Sequence, residues 1–91
     1  MADGGAENRA RSYLSTWYHR RMKFRDFIKI LEDHGFEYAR QRGSHRVYKG
    51  HIEGRTRIVI VACHRESDEI KRGTLSSMIR RSGLPKRIFR E

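Results

Sequence analysis

The sequence predicts an α+β domain with the element order αβββα, in which two helices cover one face of a three-stranded antiparallel sheet. Two segments carry apolar residues at helical spacing, and three segments between them alternate or are rich in β-branched residues. The links between the strands are short, and short links require antiparallel neighbours. Because both helices share one face, the opposite face of the sheet is expected to remain wet.

The first helix is predicted from Met22 onward, with a length of about three turns. Its buried stripe consists of Phe24, Phe27, Ile28 and Leu31. Arg25, Asp26, Lys29 and Glu32 occupy the other face, which is typical of an amphipathic helix on a core. Gly35 is expected to end this helix, with Phe36 covering its last turn.

Three strands are predicted after the first helix. Residues 36–41 alternate in polarity, residues 42–44 have the composition of a tight turn, and residues 45–49 form the returning strand. Residues 50–54 are interpreted as a loop. Residues 56–62 form the strongest strand, since they are almost all β-branched and apolar on both sides, so we expect this strand to be the best covered.

The second helix follows a polar connector over residues 64–71. Its apolar stripe is Leu75, Met78 and Ile79, with Thr74 as the expected N-cap. Arg80 and Arg81 lie in the predicted last turn, where the helix dipole favours cations, and the run Ser82-Gly83-Leu84-Pro85 ends the helix.

Size and charge restrict the function. The chain has 91 residues, which is enough for one small domain whose thin core favours a shallow groove over a deep pocket. Its 21 Lys and Arg against 11 Asp and Glu give a formal net charge of +10. This excess favours a nucleic acid as partner, although solubility alone or an acidic protein partner would also account for it.

The domain is predicted to span residues 22–91. Residues 1–21 are expected to be a loosely ordered extension that is in part helical, because Ala10, Tyr13, Leu14 and Trp17 follow helical spacing behind a small, polar start. Start-codon choice or added residues would also explain this segment.

Cysteine usage and hydropathy indicate the cytoplasm. The single cysteine, Cys63, cannot form an internal disulfide, and no segment is long and apolar enough to span a membrane or act as a signal peptide. Cys63 and His64 lack the further ligands that zinc requires, so we expect no metal and no small-molecule cofactor. Cys63 is expected to end the third strand as a small buried residue.

Three strings of the sequence resemble the HicA (YcfA-like) toxin family. They are residues 22–36, the run Arg40-Gln41-Arg42-Gly43-Ser44-His45, and residues 71–84 with Lys71-Arg72-Gly73-Thr74-Leu75 at their start. The αβββα order is also that of the double-stranded-RNA-binding domain. The resemblance implies the toxin of a toxin–antitoxin pair, an mRNA interferase silenced by a HicB-type antitoxin, with its catalytic histidine at His45.

Two positions depart from the family pattern. A proline common after the third strand is absent from Val61-Ala62-Cys63-His64, and Phe24 stands where relatives often have a helix-opening serine. The cap of the first helix must therefore come from elsewhere.

Cleavage of RNA requires a base for the 2′-hydroxyl, an acid for the departing 5′-oxygen and cations for the phosphate. With the family resemblance, His45 is the expected base or acid of a metal-independent reaction that leaves a 2′,3′-cyclic phosphate. The residues expected to bind the RNA are the hairpin cations, the turn and a stacking ring, with a histidine near the exit of the third strand: Arg40, Arg42, Gly43, Ser44, Arg46, Tyr48, Lys49 and His64.

Other functions remain open from the sequence. By position alone, His45 is a surface histidine at a strand end. A non-catalytic RNA-binding module, or a degenerate toxin that only binds its antitoxin, would have the same fold but no need of a histidine after Gly-Ser. A DNA-binding domain is disfavoured because no pair of adjacent helices suits a helix-turn-helix.

Overall fold

The computed structural model describes residues 22–89 and confirms the α+β class and the αβββα order. The expectations for residues 1–21 lie outside the described residues. A short 3-10 helix follows the second helix. The elements are α1 (Phe24–Asp33), β1 (Glu37–Arg42), β2 (His45–Ile52), β3 (Arg55–Ala62), α2 (Arg72–Ser82) and the 3-10 helix (Lys86–Phe89). The sheet is antiparallel with the order β1-β2-β3. Within residues 22–89, no helix is long and apolar enough to cross a membrane.

Helix α1 has the predicted buried stripe and the predicted end. Four of its five apolar residues, Phe24, Phe27, Ile28 and Leu31, are buried. Gly35 has a left-handed φ of +90°. The Phe36 N–H donates to the Leu31 carbonyl at 3.0 Å and the Gly35 N–H to the Glu32 carbonyl at 3.1 Å. These two bonds form a Schellman motif, which satisfies carbonyls that the helix leaves free.

The connector before α2 caps the start of α1. Lys23 occupies the N-cap position without a side-chain cap. Instead, the Phe24 N–H donates to the Asp68 carbonyl at 3.0 Å and the Arg25 N–H to the Glu66 carbonyl at 2.9 Å. Backbone carbonyls of the connector therefore accept the hydrogen bonds from the start of α1, in place of a serine side chain at the cap.

The core lies between the helices and one face of the sheet. Phe27, Leu31, Val59 and Val61 are fully inaccessible to solvent. Phe89 of the 3-10 helix stacks on Phe27 with 5.3 Å between ring centroids. The last described residues thus close the core, a role that the sequence pattern did not indicate.

The expected loop over residues 50–54 is wrong. Strands β2 and β3 continue to a two-residue turn, Glu53-Gly54, in which both φ angles are positive (53° and 78°). This is the backbone of a type I′ turn, whose twist matches that of the paired strands. Gly50 lies within β2, and the ring of Phe36 covers it. This contact explains why the residue is glycine, since a Cβ there would meet Phe36 Cγ at 2.8 Å.

The expected N-cap of α2 at Thr74 is also wrong. The helix begins at Arg72, with Lys71 as the N-cap and no side-chain cap. The Ile70 N–H donates to the Met22 carbonyl at 2.8 Å, so the chain is held extended up to residue 70 and turns into the helix directly afterwards. Gly83, with a φ of +74°, ends α2 as predicted.

The two faces of the sheet differ sharply in exposure. Along β3, Val59 and Val61 are buried against the helices, whereas Ile58 and Ile60 are each 50% exposed. Successive strand residues point to opposite faces, so the second pair marks the open face. Helix α2 packs alongside β3. The open face is therefore available for function.

Candidate functional site

The site is built on the hairpin between β1 and β2. Gly43 and Ser44 form its turn, and Gly43 has a φ of +60° while Ser44 does not have a positive φ. This sign pattern is that of a type II′ turn, which favours glycine at the first central position. Gln41 Nε2 donates to the Gly43 carbonyl at 2.8 Å and so braces the turn from within β1.

His45 is the first residue of β2 and lies on the open face. Its backbone pairs with Arg42 across the hairpin and with Ala62 of β3. The side chain is exposed. Among residues 22–89, no hydrogen bond or ion pair engages the imidazole, so both ring nitrogens are available to a ligand.

Two cations share the open face with His45. Arg42 of β1 is the cross-strand partner of His45. Arg40 of β1 is the partner of Val47, which lies two residues after His45 in β2. Neighbouring strands lie about 4.8 Å apart and residues two apart along a strand about 7 Å apart. Both arginines are exposed. The guanidinium groups can therefore reach a phosphate bound at His45.

Lys49 lies on the same face but farther from the histidine. It is four residues along β2, which is about 13 Å, and it pairs with Glu37 of β1. The structure therefore separates Lys49 from His45, Arg40 and Arg42, which it brings together.

Arg46 points to the helix side of the sheet, away from His45. Its guanidinium donates to Glu66 Oε2 at 2.6 Å, and its side chain is only 20% exposed. The hydrogen bond to Glu66 raises the pKa of Arg46 above its usual range. Arg46 therefore links β2 to the connector, and its charge is already engaged.

Tyr48 belongs to the core. It is 3% exposed, and burial raises the pKa of its phenol. Tyr38 meets the ring edge-on with a centroid distance of 6.0 Å. Tyr48 was expected to offer a ring on which an RNA base stacks, and this expectation is not met. The even positions of β2 face the helices, so the faces of the Tyr48 ring are covered.

The exit of β3 lies beside the hairpin. The Cys63 N–H donates to the Ser44 carbonyl at 2.8 Å, directly next to the pairing of His45 with Ala62. His64 follows and is exposed. Cys63 ends the strand as the small buried residue that was predicted, and burial raises the pKa of its thiol. The absent proline has therefore not moved the strand exit away from the hairpin.

Two residues with structural roles at the site were missed by the sequence analysis. Gln41 braces the turn, and its place in the run Arg40–His45 was an available signal. Glu66 holds Arg46 from 20 residues away. Nothing in the local pattern of a polar connector indicates that pairing.

Fold and site together define a class of protein: a small, strongly basic αβββα domain that carries on the open face of its sheet two arginines and a histidine without a partner among residues 22–89. Compared with known families, residues 24–84 match the HicA toxin of bacterial toxin–antitoxin systems. The match spans well over half of the chain, so this protein belongs to the HicA toxin family. It is the toxin of a toxin–antitoxin system, and its partner is an antitoxin. No curated protein matched the chain.

Proposed function

We propose that this toxin is an endoribonuclease, an mRNA interferase, in which His45 transfers protons during cleavage. One observation carries the proposal: the His45 imidazole is exposed at the hairpin next to Arg42, and no group among residues 22–89 occupies its nitrogens. Histidine suits proton transfer because its ordinary pKa lies near neutrality.

The reaction uses the nucleophile that RNA carries. The 2′-oxygen attacks the adjacent phosphorus, the O2′–P bond forms and the P–O5′ bond breaks. His45 removes the 2′-hydroxyl proton or protonates the departing O5′. The products are a 2′,3′-cyclic phosphate and a 5′-hydroxyl end, and the protein supplies no metal ion to the reaction.

The remaining residues divide into two groups by distance. Arg42 and Arg40 stabilise the charge that builds up on the phosphorane oxygens, since fixed cations act most strongly where charge develops. Gly43 lets the backbone turn sharply, which allows a phosphate to approach His45. Lys49 contacts the RNA backbone farther along the face, as a binding residue without a part in the chemistry.

Ser44 and His64 complete the proposed contacts on the hairpin side. Both lie where the β3 exit meets the turn. His64 is the candidate second proton-transfer or phosphate-binding group. Ser44 donates to the phosphate or shapes the turn.

The antitoxin in this proposal is a HicB-type protein, and both partners act in the cytoplasm. Because the His45 side chain is exposed on the open face, a protein that covers the hairpin stops both RNA entry and the reaction.

A matched pair of histidine variants tests the proposal. His45 and His51 are both exposed residues of β2 at odd positions, so they share the open face. His45→Ala is expected to lower the cleavage rate of a purified RNA by about 10²-fold or more. His51→Ala is expected to leave that rate unchanged.

Cleavage is followed on denaturing gels, with analysis of the 3′ ends for the cyclic phosphate. Wild-type cleavage by His45→Ala protein would refute the role of His45. A wild-type protein that binds RNA without cutting it would instead favour the non-catalytic module.

A further inference from the structure

A cleft opens at the β3 edge of the sheet, between Ile60 and helix α2. Its volume is about 470 Å³. It is lined by Ile60, Gly73, Thr74, Ser77, Met78 and Arg81. We refer to these six residues as the α2 cleft. None of them has a place in the proposed cleavage reaction.

The α2 cleft has an apolar wall and a charged rim. Ile60 is half exposed, and Ile58, two residues away on the same face, is equally exposed. Among residues 22–89, the only other large apolar side chain as exposed is Tyr38. Arg81 supplies the charge, and it has no acidic partner among the described residues.

The α2 cleft is continuous with the face that carries His45. Ile60 is two residues from Ala62, the direct neighbour of His45 in the sheet. Two residues along a strand correspond to about 7 Å. A protein that binds in the cleft can therefore also cover His45.

The chemistry of the cleft suits a protein better than RNA. Single-stranded RNA draws its apolar binding energy from bases that stack on aromatic rings, and the cleft has no aromatic residue. An aliphatic wall beside an arginine instead suits an apolar side chain with a carboxylate next to it. The net charge of +10 adds a preference for an acidic partner.

We propose that the α2 cleft anchors the antitoxin, which places an apolar side chain against Ile60 and Met78 and a neighbouring carboxylate on Arg81. The proposal rests on the proposed HicB-type partnership. It implies that antitoxin binding and RNA binding use separable residues on one face, so that variants of the cleft release the toxin from inhibition.

Gly73 offers the sharpest variant. A Cβ built there meets no atom within 4 Å, and its φ is not positive. Gly73 lines the cleft, so Gly73→Phe is designed to place a ring in it, and Gly73→Ala is its matched control because one methyl group leaves the cleft open. Both replace glycine within a helix, which raises helix stability. Ile60→Ser removes the apolar wall as an independent change.

The measurements use the full 91-residue chain with His45→Ala added to silence toxicity. A HicB-type antitoxin is titrated by calorimetry, and a fluorescent single-stranded RNA by anisotropy. We expect Gly73→Phe and Ile60→Ser each to weaken antitoxin binding by about tenfold or more, as at a buried anchor. RNA affinity and the Gly73→Ala protein should stay within about twofold of the parent.

Two results would overturn the proposal. One is unchanged antitoxin affinity in the folded Gly73→Phe protein; the other is an equal loss of RNA affinity, which would make the cleft an RNA groove. Circular dichroism establishes folding, and if Ile60→Ser fails to fold, Gly73→Phe decides alone. A wild-type toxin, with His45 intact, that binds the antitoxin but never cuts RNA would refute the ribonuclease proposal and leave the cleft result standing.

Discussion

Gly50→Ala tests the packing that sets the position of β2, the strand of the proposed site. Gly50 lies in β2, the strand that begins with His45, and the Phe36 ring covers it. An added Cβ would lie 2.8 Å from Phe36 Cγ, 2.9 Å from Cδ2 and 3.0 Å from Cδ1. Phe36 is 2% exposed and its N–H makes one of the two hydrogen bonds of the Schellman motif, so its ring is enclosed and its backbone is held in place.

Two opposing effects decide the free energy of unfolding of this variant. Replacing glycine by alanine in a strand normally stabilises by roughly 0.5–1 kcal/mol, through the unfolded state. Overpacking a buried position costs about 1–3 kcal/mol. Since the three carbon contacts all fall within 3.0 Å, we expect overpacking to dominate, with a net loss of about 1–2 kcal/mol. For a domain of this size, that lowers Tm by roughly 5–15 °C.

Thermal unfolding followed by circular dichroism measures the effect. Gly73→Ala is the control, because its added methyl group meets open space and the variant should be slightly more stable than wild type. A Gly50→Ala protein as stable as wild type would show that Phe36 does not lie over β2, and the register that places His45 would lose its support.

Three further predictions concern charge and ionisation. Glu66→Ala should lower the unfolding free energy by about 1 kcal/mol in urea titrations, since it removes the charged hydrogen bond to Arg46 in a partly exposed setting; an unchanged midpoint would contradict the bracing role. Burial raises the pKa of the Cys63 thiol, so the folded state favours the protonated form. The free energy of unfolding should therefore fall as the pH rises through the ordinary thiol pKa. In measurements of Tm against pH, Cys63→Ala should make this fall less steep. Arg42→Gln should weaken binding of a single-stranded RNA and reduce the slope of log K against log salt by about 0.7, while Arg25→Gln on α1 should not.

Local patterns in the sequence were sufficient for much of the fold. The stripe from Phe24 to Leu31 and the glycine after it predicted α1 and its end, because helical spacing and a left-handed C-cap are decided by neighbours in sequence. The turn at Gly43-Ser44 was predicted for the same reason. Errors arose where distant residues decided, as at Gly50 under Phe36 and at Thr74, where the tie from Ile70 to Met22 sets the helix start.

The candidate site was predicted in part. Strand alternation separates His45 from Arg46 and Tyr48, but it does not say which of the two sets meets the helices. The sequence analysis expected Arg46 and Tyr48 to bind RNA. In the structure, Arg46 binds Glu66, 20 residues away in the sequence, and Tyr48 is buried. The α2 cleft was not predicted, since it forms where β3 meets a helix that starts ten residues after that strand ends.

The sequence by itself determined the class of this protein: a basic αβββα domain whose three strings match the HicA toxin family, with a histidine directly after a Gly-Ser turn. Those features can be recognised from composition and from the spacing of residues that are close in sequence. Only the tertiary structure decided that His45 and its two arginines lie on the open face while Arg46 and Tyr48 face the helices. The physical reason is that alternation has a period of two along any strand, and the packing of the helices alone chooses the face that is covered.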